Sequence, residues 1–446
     1  MQCTQTQSEG LSRVFRVVVP RTDLQARLDA KVEEVRGKAN LKGFRPGKAP
    51  AAHIRKLYGK GLLREIIDDA VQRSTKEALD QADVRVATEP SLHLESDLEK
   101  VARGEADLAF HFHVEVLPEI EPAGLEGLSL ERLVAPVSEA QVDALAEQLL
   151  KNNRTWDAKE GAAEVGDLVT IDFVGKLDGE PFEGGSADGA KVELGAGQFI
   201  PGFEEGVTGL AAGEEKTLEI RFPDTYAAEH LAGKDAVFEI KVQQIEAAQT
   251  PVLDDAFAEK LGVESAEKVR ALLREQVESE HSGQSRMRLK RVLFDRLDEA
   301  NTGFDLPPAM VEAEFQQIWR QVDSDRQRGQ LDEDDAGKSE EELRGDYRRI
   351  AQRRVRLGLL LAEIGKRMGV VVTDQELTVA LTAEARRYPG QERQVFEFFQ
   401  SNPGALAQLR APIFEDKVVD RLLADAVVTD KEVDREALFS EMDADV

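Results

Sequence analysis

The chain has 446 residues, 41% of them hydrophobic and 32% charged, with a formal net charge of −28. About three domains fit that length, and so large a negative charge disfavours general nucleic-acid binding, because phosphate would be repelled. One cysteine, Cys3, excludes an internal disulfide or a cysteine metal site, and no run reaches the ~18 apolar residues of a membrane span. A polar Met1–Gly10 segment has no apolar core of a leader, so a reducing, cytoplasmic compartment is expected.

In chain order, Val14–Val19 alternates as a strand. Thr22 or Asp23 is expected to cap a helix carrying Leu24, Leu28, Val32 and Val35. A glycine- and proline-rich loop, Gly43 to Pro50, leads into a second helix over 51–82. Around that loop lie Arg36, Lys38, Lys42, Arg45, Lys48, Arg55, Lys56, Lys60 and Arg64, with no Asp or Glu between them. A basic island in an acidic chain points to an anionic partner. Strands are expected near 84–87 and 106–117. The second places Leu108, Phe110, Phe112, Val114 and Val116 on one face, and His111 and His113 on the other. With no cysteine and no other histidine placed to help, the His pair reads as the polar face of a half-buried strand rather than a metal site.

Residues 118–136 read as an extended linker with turns. Ser138-Glu139-Ala140-Gln141 forms a capping box that opens a helix. From 161 to 246 the chain is glycine-rich with short strands over 168–174, 192–194, 216–222 and 236–245, a compact, mostly β domain. Beyond Pro251 it is helical: 265–300, 307–327, 340–368, 374–387, 391–402 and 404–426. Further capping boxes are expected at Thr373–Glu376 and Thr429–Glu432. Leu357, Leu359, Leu360, Leu361 and Ile364 mark one helix as central, and the acidic end beyond Glu432 reads as loosely held. His281 is expected to stand alone.

Two motifs carry function. Gly43, Phe44, Arg45, Pro46, Gly47, Lys48, Ala49 and Pro50 make a tight turn in which an aromatic ring is flanked by cations. Such a loop suits an RNA–protein surface, with the cations meeting phosphate. It resembles the ribosome-docking signature of trigger factors at every defined position. The second motif resembles FKBP-type prolyl isomerases. It runs through Val169–Gly175, Gly179–Glu183, Leu194-Gly195, Phe199–Val207, Gly213-Glu214, Tyr226 and Phe238, in family order and spacing. By that resemblance Phe173, Phe182, Phe199, Ile200, Phe203, Tyr226 and Phe238 line the substrate pocket. The Ile200 N–H is expected to hold a substrate carbonyl, and the Tyr226 hydroxyl to donate. Phe203 replaces a common Trp at the pocket floor, Glu183 replaces a common Asp, and the loop 227–235 is short, which resembles trigger-factor versions of the domain.

The resemblance to trigger factors spans the chain and implies a multidomain α+β protein. It comprises an α+β ribosome-docking domain (1–120), a linker and connecting helix (121–160), an FKBP-like antiparallel β domain with a short helix (161–247), and an all-α chaperone body (248–446). It implies as partners the ribosome beside the polypeptide exit tunnel, through protein and rRNA, and unfolded nascent chains. It implies no DNA, membrane, metal or cofactor, and leaves open a homodimer off the ribosome. Apolar patches for holding clients are sought among Met310, Phe315, Ile318, Trp319, Phe396, Phe398, Phe399 and Phe414. A stand-alone prolyl isomerase with helical dimerisation arms is the competing expectation; it leaves the Phe44 loop idle. A naked-RNA binder using the basic island is the third.

Overall fold

The structure is a computed structural model that describes residues 2–38, 44, 49–226, 228 and 231–440, without the side chains of Lys60, Ala102, Glu183 and Glu333. The N-terminal part contains β1 (Gln2–Glu9), β2 (Ser12–Val19), α1 (Arg21–Lys38), α2 (Ala51–Ala82), β3 (Ser91–Leu94), α3 (Leu98–Ala102) and β4 (Leu108–Glu115). Its antiparallel sheet has the order β1-β2-β4-β3. The alternation of β4 buries Leu108, Phe110, Phe112 and Val114 against Phe15 and Val17 of β2 and the apolar stripes of α1 and α2. Phe15 and Phe112, directly opposite in the register, stack with centroids 5.2 Å apart. Each ring buried this way stabilises by roughly 1.5–3 kcal/mol.

The polar stretch at the start of the chain forms β1, for which no element was expected, because pairing with β2 needs backbone N–H and C=O groups and no apolar side chain. Two local expectations are corrected here. The strand expected at 84–87 is only an isolated bridge, Val86 to Val116, and the true neighbour of β4 is β3. Helix α1 begins at Arg21, ahead of Thr22 and Asp23. Its first N–H donates to Asp107, 86 residues away, at 2.8 Å, so the cap is tertiary rather than local.

Next follow β5 (Ser129–Val134), α4 (Glu139–Asn152), β6 (Thr155–Ala158), β7 (Leu168–Leu177), β8 (Glu180–Glu193), α5 (Phe203–Val207), β9 (Glu215–Arg221) and β10 (Asp235–Gln249). The Ser138 capping box forms as expected, with the Ser138 N–H donating to Gln141 Oε1 at 2.9 Å. Strand β10 is the spine of a five-stranded antiparallel sheet. One edge pairs with β7, which pairs onward with β8; the other edge carries β9 and, further along, β6. The short helix α5 drives Phe203 and Val207 into the core with Val169, Ile171, Val192, Ile220 and Val242. A strand, β5, thus lies within the segment expected to be only linker.

The rest is α6 (Asp255–Lys260), α7 (Ala266–Ala300), α8 (Pro308–Arg328), α9 (Glu333–Ala336), α10 (Glu340–Arg367), α11 (Asp374–Ala385), α12 (Glu392–Ser401), α13 (Pro403–Asp425), β11 (Val427–Glu432) and α14 (Arg435–Phe439). Helix α10 is central. Leu357, Leu360, Leu361 and Ile364 pack on α7 and α13, while Ala351 and Val355 pack on Phe315 and Trp319 of α8. Gly365 permits the close approach of α13: a Cβ there would lie 2.7 Å from Val418 Cγ2 and also strike the Phe414 ring. The Thr373 capping box forms, but Thr429–Glu432 is not a cap. It is strand β11, paired with β5 and held by Arg132–Asp430 and Lys431–Glu131, so the helical body carries one strand. Helix α14 follows, with Leu438 fully buried, and corrects the expectation of a loose segment beyond Glu432 as far as residue 440; 441–446 lie outside the described residues.

The chain divides into two compact units. One is built from Met1–Leu133 and Arg286–Lys431, the other from Val134–Ser285 and Glu432–Phe439. No helix among the described residues is long and apolar enough to cross a membrane.

Candidate active site and docking loop

A cavity of about 460 Å³ opens in the β10-centred domain, lined by Phe173, Phe182, Phe199, Ile200, Phe203, Tyr226 and Phe238 together with Gln198, Pro201, Phe222 and Pro223. That volume suits a side chain and its flanking amides. The pocket assembles from four directions. Phe173 comes from β7, Phe182 from β8, Phe238 from β10, and Phe199 to Phe203 from the loop and first turn of α5. Phe203 is the floor, only 1% exposed. Phe199 stacks on it at 4.9 Å, while Phe173 and Phe238 meet it edge-on at 5.5 and 5.4 Å. Alternating stacked and edge-on rings satisfy the aromatic quadrupoles and hold the walls rigid. Gly185 and Gly175 make room for Phe182: a Cβ on either would come within 2.5 and 2.8 Å of its ring.

Tyr226 sits at the rim, 38% exposed, with its ring 4.8 Å from Phe222. Phe222 is a wall that sequence reasoning missed; its place at the end of β9, one turn from Tyr226, was the available signal. No acceptor among the described residues takes the Ile200 N–H, which leaves it available to a substrate carbonyl. Glu183 lies on β8, and its side chain is outside the described residues.

Among the described residues lining the pocket, Tyr226 alone is ionisable. Two described carboxylates nearby, Asp172 and Glu204, are turned to structural work. Asp172, adjacent to Phe173 but on the opposite face of β7, accepts from Gln243 Nε2 at 2.6 Å and the Gly189 N–H at 2.7 Å; these bonds hold it below the usual carboxylate range. Glu204, 7% exposed, is the second residue that sequence reasoning passed over. Burial pushes its pKa up, but four backbone N–H groups more than offset that and leave it below the usual range. The donors are Gly195 and Gln198 at 2.8 Å, Gly197 at 3.1 Å and Phe199 at 3.2 Å. This cradle fixes the loop that presents Phe199 and Ile200. An acidic residue in an apolar run beside two glycines was the signal for it.

The docking loop is described at three positions. Phe44 is 37% exposed, its ring tilted over His53 at 5.3 Å; Ala49 is buried, and Pro50 ends the loop as the residue before α2. Gly43, Arg45, Pro46, Gly47 and Lys48 lie outside the described residues. Parts of the basic island meet acids on α1: Arg36 pairs with Glu33, Lys38 with Glu34 and Arg55 with Asp29. Of the residues considered for client holding, Phe315 and Trp319 are core, Met310, Ile318 and Phe414 pack partly against it, and Phe398 of α12 is exposed. Phe396 and Phe399 are half-buried.

The histidines need correction. His281 is not alone: it is buried, with Nε2 3.1 Å from Gln141 Nε2 and Nδ1 2.9 Å from the Ala135 carbonyl oxygen. His111 and His113 do line the polar face of β4, but β3 brings His93 beside them, so a third histidine is placed to help after all.

Sequence comparison covers these regions in the same order. The bacterial trigger factor protein matches residues 1–149, FKBP-type peptidyl-prolyl cis-trans isomerase residues 159–243, and the C-terminus of the bacterial trigger factor protein residues 265–424. The trigger factor of Hyphomonas neptunium is 50% identical over 443 residues, 99% of each chain. That of Parvibaculum lavamentivorans is 48% identical, covering all of this chain and 87% of its own. A solved structure, reported for promiscuous substrate recognition in the folding and assembly activities of the trigger factor chaperone, covers 95% of this chain and 99% of its own. Its TM-score is 0.53 at 17% identity, a likeness of fold. Full-length relatives favour a chaperone over an isomerase with unrelated arms. Matches that follow one another from end to end of the chain, with an aromatic pocket inside the isomerase-like part, lead to one statement: the chain belongs to the trigger factor family, chaperones that carry an FKBP-type peptidyl-prolyl isomerase domain.

Proposed function

We propose that the chain docks on the ribosome beside the exit tunnel through the Phe44 loop, holds emerging polypeptides on its helical body, and isomerises their X–Pro bonds in the aromatic pocket. The observation that carries the catalytic part is a cavity walled by seven phenylalanine and tyrosine rings, with no charged side chain among its described lining residues. Peptide rotation is slowed by an ~18–20 kcal/mol barrier that arises from amide resonance. X–Pro isomers differ by only ~0.5–1 kcal/mol, so the enzyme has a rate to change and no equilibrium to drive. The twisted amide loses resonance and becomes less polar at oxygen. An apolar pocket binds it better than the planar ground state, and differential binding of that kind lowers the barrier without any covalent step. In this reading Phe203, Phe199, Phe173, Phe182 and Phe238 seat the prolyl ring. The Ile200 N–H and the Tyr226 hydroxyl hold flanking carbonyls, and Glu183 borders the site.

For holding clients, exposed Phe398 beside half-buried Phe396 and Phe399 on α12 supports weak, non-directional apolar contacts. Contacts of that kind release by exchange, without nucleotide. The proposed division follows chain order: docking in 1–120, connection in 121–160, isomerisation in 161–247 and holding in 248–446. A reducing cytoplasm, and service to exported as well as resident proteins, belong to the same reading. The exposure of Phe44 supports docking. Co-sedimentation with ribosomes tests it: Phe44→Ala with Arg45→Ala should abolish binding while activity on a short prolyl peptide stays at the parent level. Undiminished sedimentation of the double variant would refute the docking role.

A further inference from the structure

Strands β3 and β4 place three of the chain's six histidines on one solvent-facing patch. His93 and His111 are direct partners in the antiparallel register, and His113 lies two residues along β4, on the same face. The His93 and His111 rings stack with centroids 5.2 Å apart. His113 meets them edge-on at 5.6 and 5.5 Å. One ring nitrogen from each can be chosen so that all three lie within 4.8 Å of one another.

We propose that His93, His111 and His113 bind a single divalent transition-metal ion of the zinc, nickel and copper class. Metal–imidazole bonds of ~2.0–2.1 Å bring the donor nitrogens of a tetrahedral or octahedral set to about 3–3.4 Å. The remaining closure of less than ~2 Å is within reach of side-chain rotation, because His93 and His113 are exposed and His111 is half-buried. Three imidazoles and no carboxylate at the centre select borderline metals over calcium or magnesium.

The surroundings suit a cation. Glu95, on the same face as His93, sits 3.4 Å from His111 Nδ1, so Nε2 is the ring nitrogen assigned to the ion in this proposal. A carboxylate behind a ligating imidazole fixes its tautomer and raises its basicity. Arg16 of β2, opposite His111, would repel a cation, but Glu95 neutralises it at 2.7 Å. Glu115, two residues beyond His113, is engaged by the Ala309 N–H at 2.8 Å. Binding would clip β3, a four-residue edge strand with Leu92 and Leu94 exposed, onto β4.

The test is calorimetric titration of untagged, full-length protein with zinc chloride and with nickel chloride, at pH 7.5 and at pH 5.5. One ion per chain is expected at pH 7.5. Affinity should be lower at pH 5.5, because metal binding to imidazole competes with protons. His93→Ala and His113→Ala should each weaken binding at least tenfold, and Glu95→Gln, a positioning change, about 10–100-fold. His53→Ala should bind as the parent does. Zinc should also slow amide exchange across 91–94 in the parent and not in His93→Ala. All these side chains are partly or fully exposed, and metal-free circular dichroism checks that each variant folds. Absence of a one-to-one isotherm in the parent, or parental affinity in both histidine variants, would overturn the proposal.

Discussion

Replacing Glu204 by Gln asks whether a buried charge positions the isomerase loop. The carboxylate accepts four backbone N–H bonds at 2.8–3.2 Å. Gly195 and Gly197 address Oε2, while Gln198 and Phe199 address Oε1. A glutamine of the same size keeps one acceptor oxygen but turns an NH₂ group toward the other two donors. Each buried donor left unmatched costs ~1–3 kcal/mol, so with two of them the domain should lose about 2–6 kcal/mol. Urea unfolding at pH 7 reads the loss as a lowered midpoint at unchanged slope. Amide exchange at Gly195 and Gly197 should quicken by roughly thirtyfold if ~2 kcal/mol is lost locally. The pH dependence has a definite sign. The folded-state pKa is depressed, so the stabilisation is present above the unfolded value of ~4.3 and is lost as pH falls through the lower folded value. The gap between parent and variant should therefore close on acidification below about pH 4. A variant with the parental midpoint at pH 7, or a gap that persists in acid, would refute the reasoning.

Phe203→Leu keeps the pocket floor apolar but removes the ring against which Phe199, Phe173 and Phe238 pack; kcat/KM on a prolyl peptide should fall at least tenfold, with the domain still folded by circular dichroism. Gly365→Ala reverses the usual helix rule. In an open helix the change stabilises by ~1 kcal/mol, but here the new methyl meets Phe414 and Val418, so a net loss of about 1–3 kcal/mol is expected in chemical unfolding.

Much of this molecule was readable in one dimension. Helix α2 runs over the expected 51–82, and α7, α8, α10 and α13 fall within two residues of their expected ends. A helix closes its hydrogen bonds four residues away, and its caps at Ser138 and Thr373 are equally local. The pocket aromatics were expected from the resemblance to FKBP-type isomerases, and the fold brings Phe173, Phe182, Phe199, Phe203, Tyr226 and Phe238 around one cavity. Tertiary structure alone supplied the rest. Strand β11 pairs with β5 from almost 300 residues away, with Arg132 bound to Asp430, so a segment that looks like a helix cap locally becomes a strand. The same non-local pairing sets His93 against His111 and Asp107 on the first turn of α1. Periodicity records which face of an element is apolar, but a strand's backbone groups are satisfied only by a partner, and nothing in the local pattern says which partner will come.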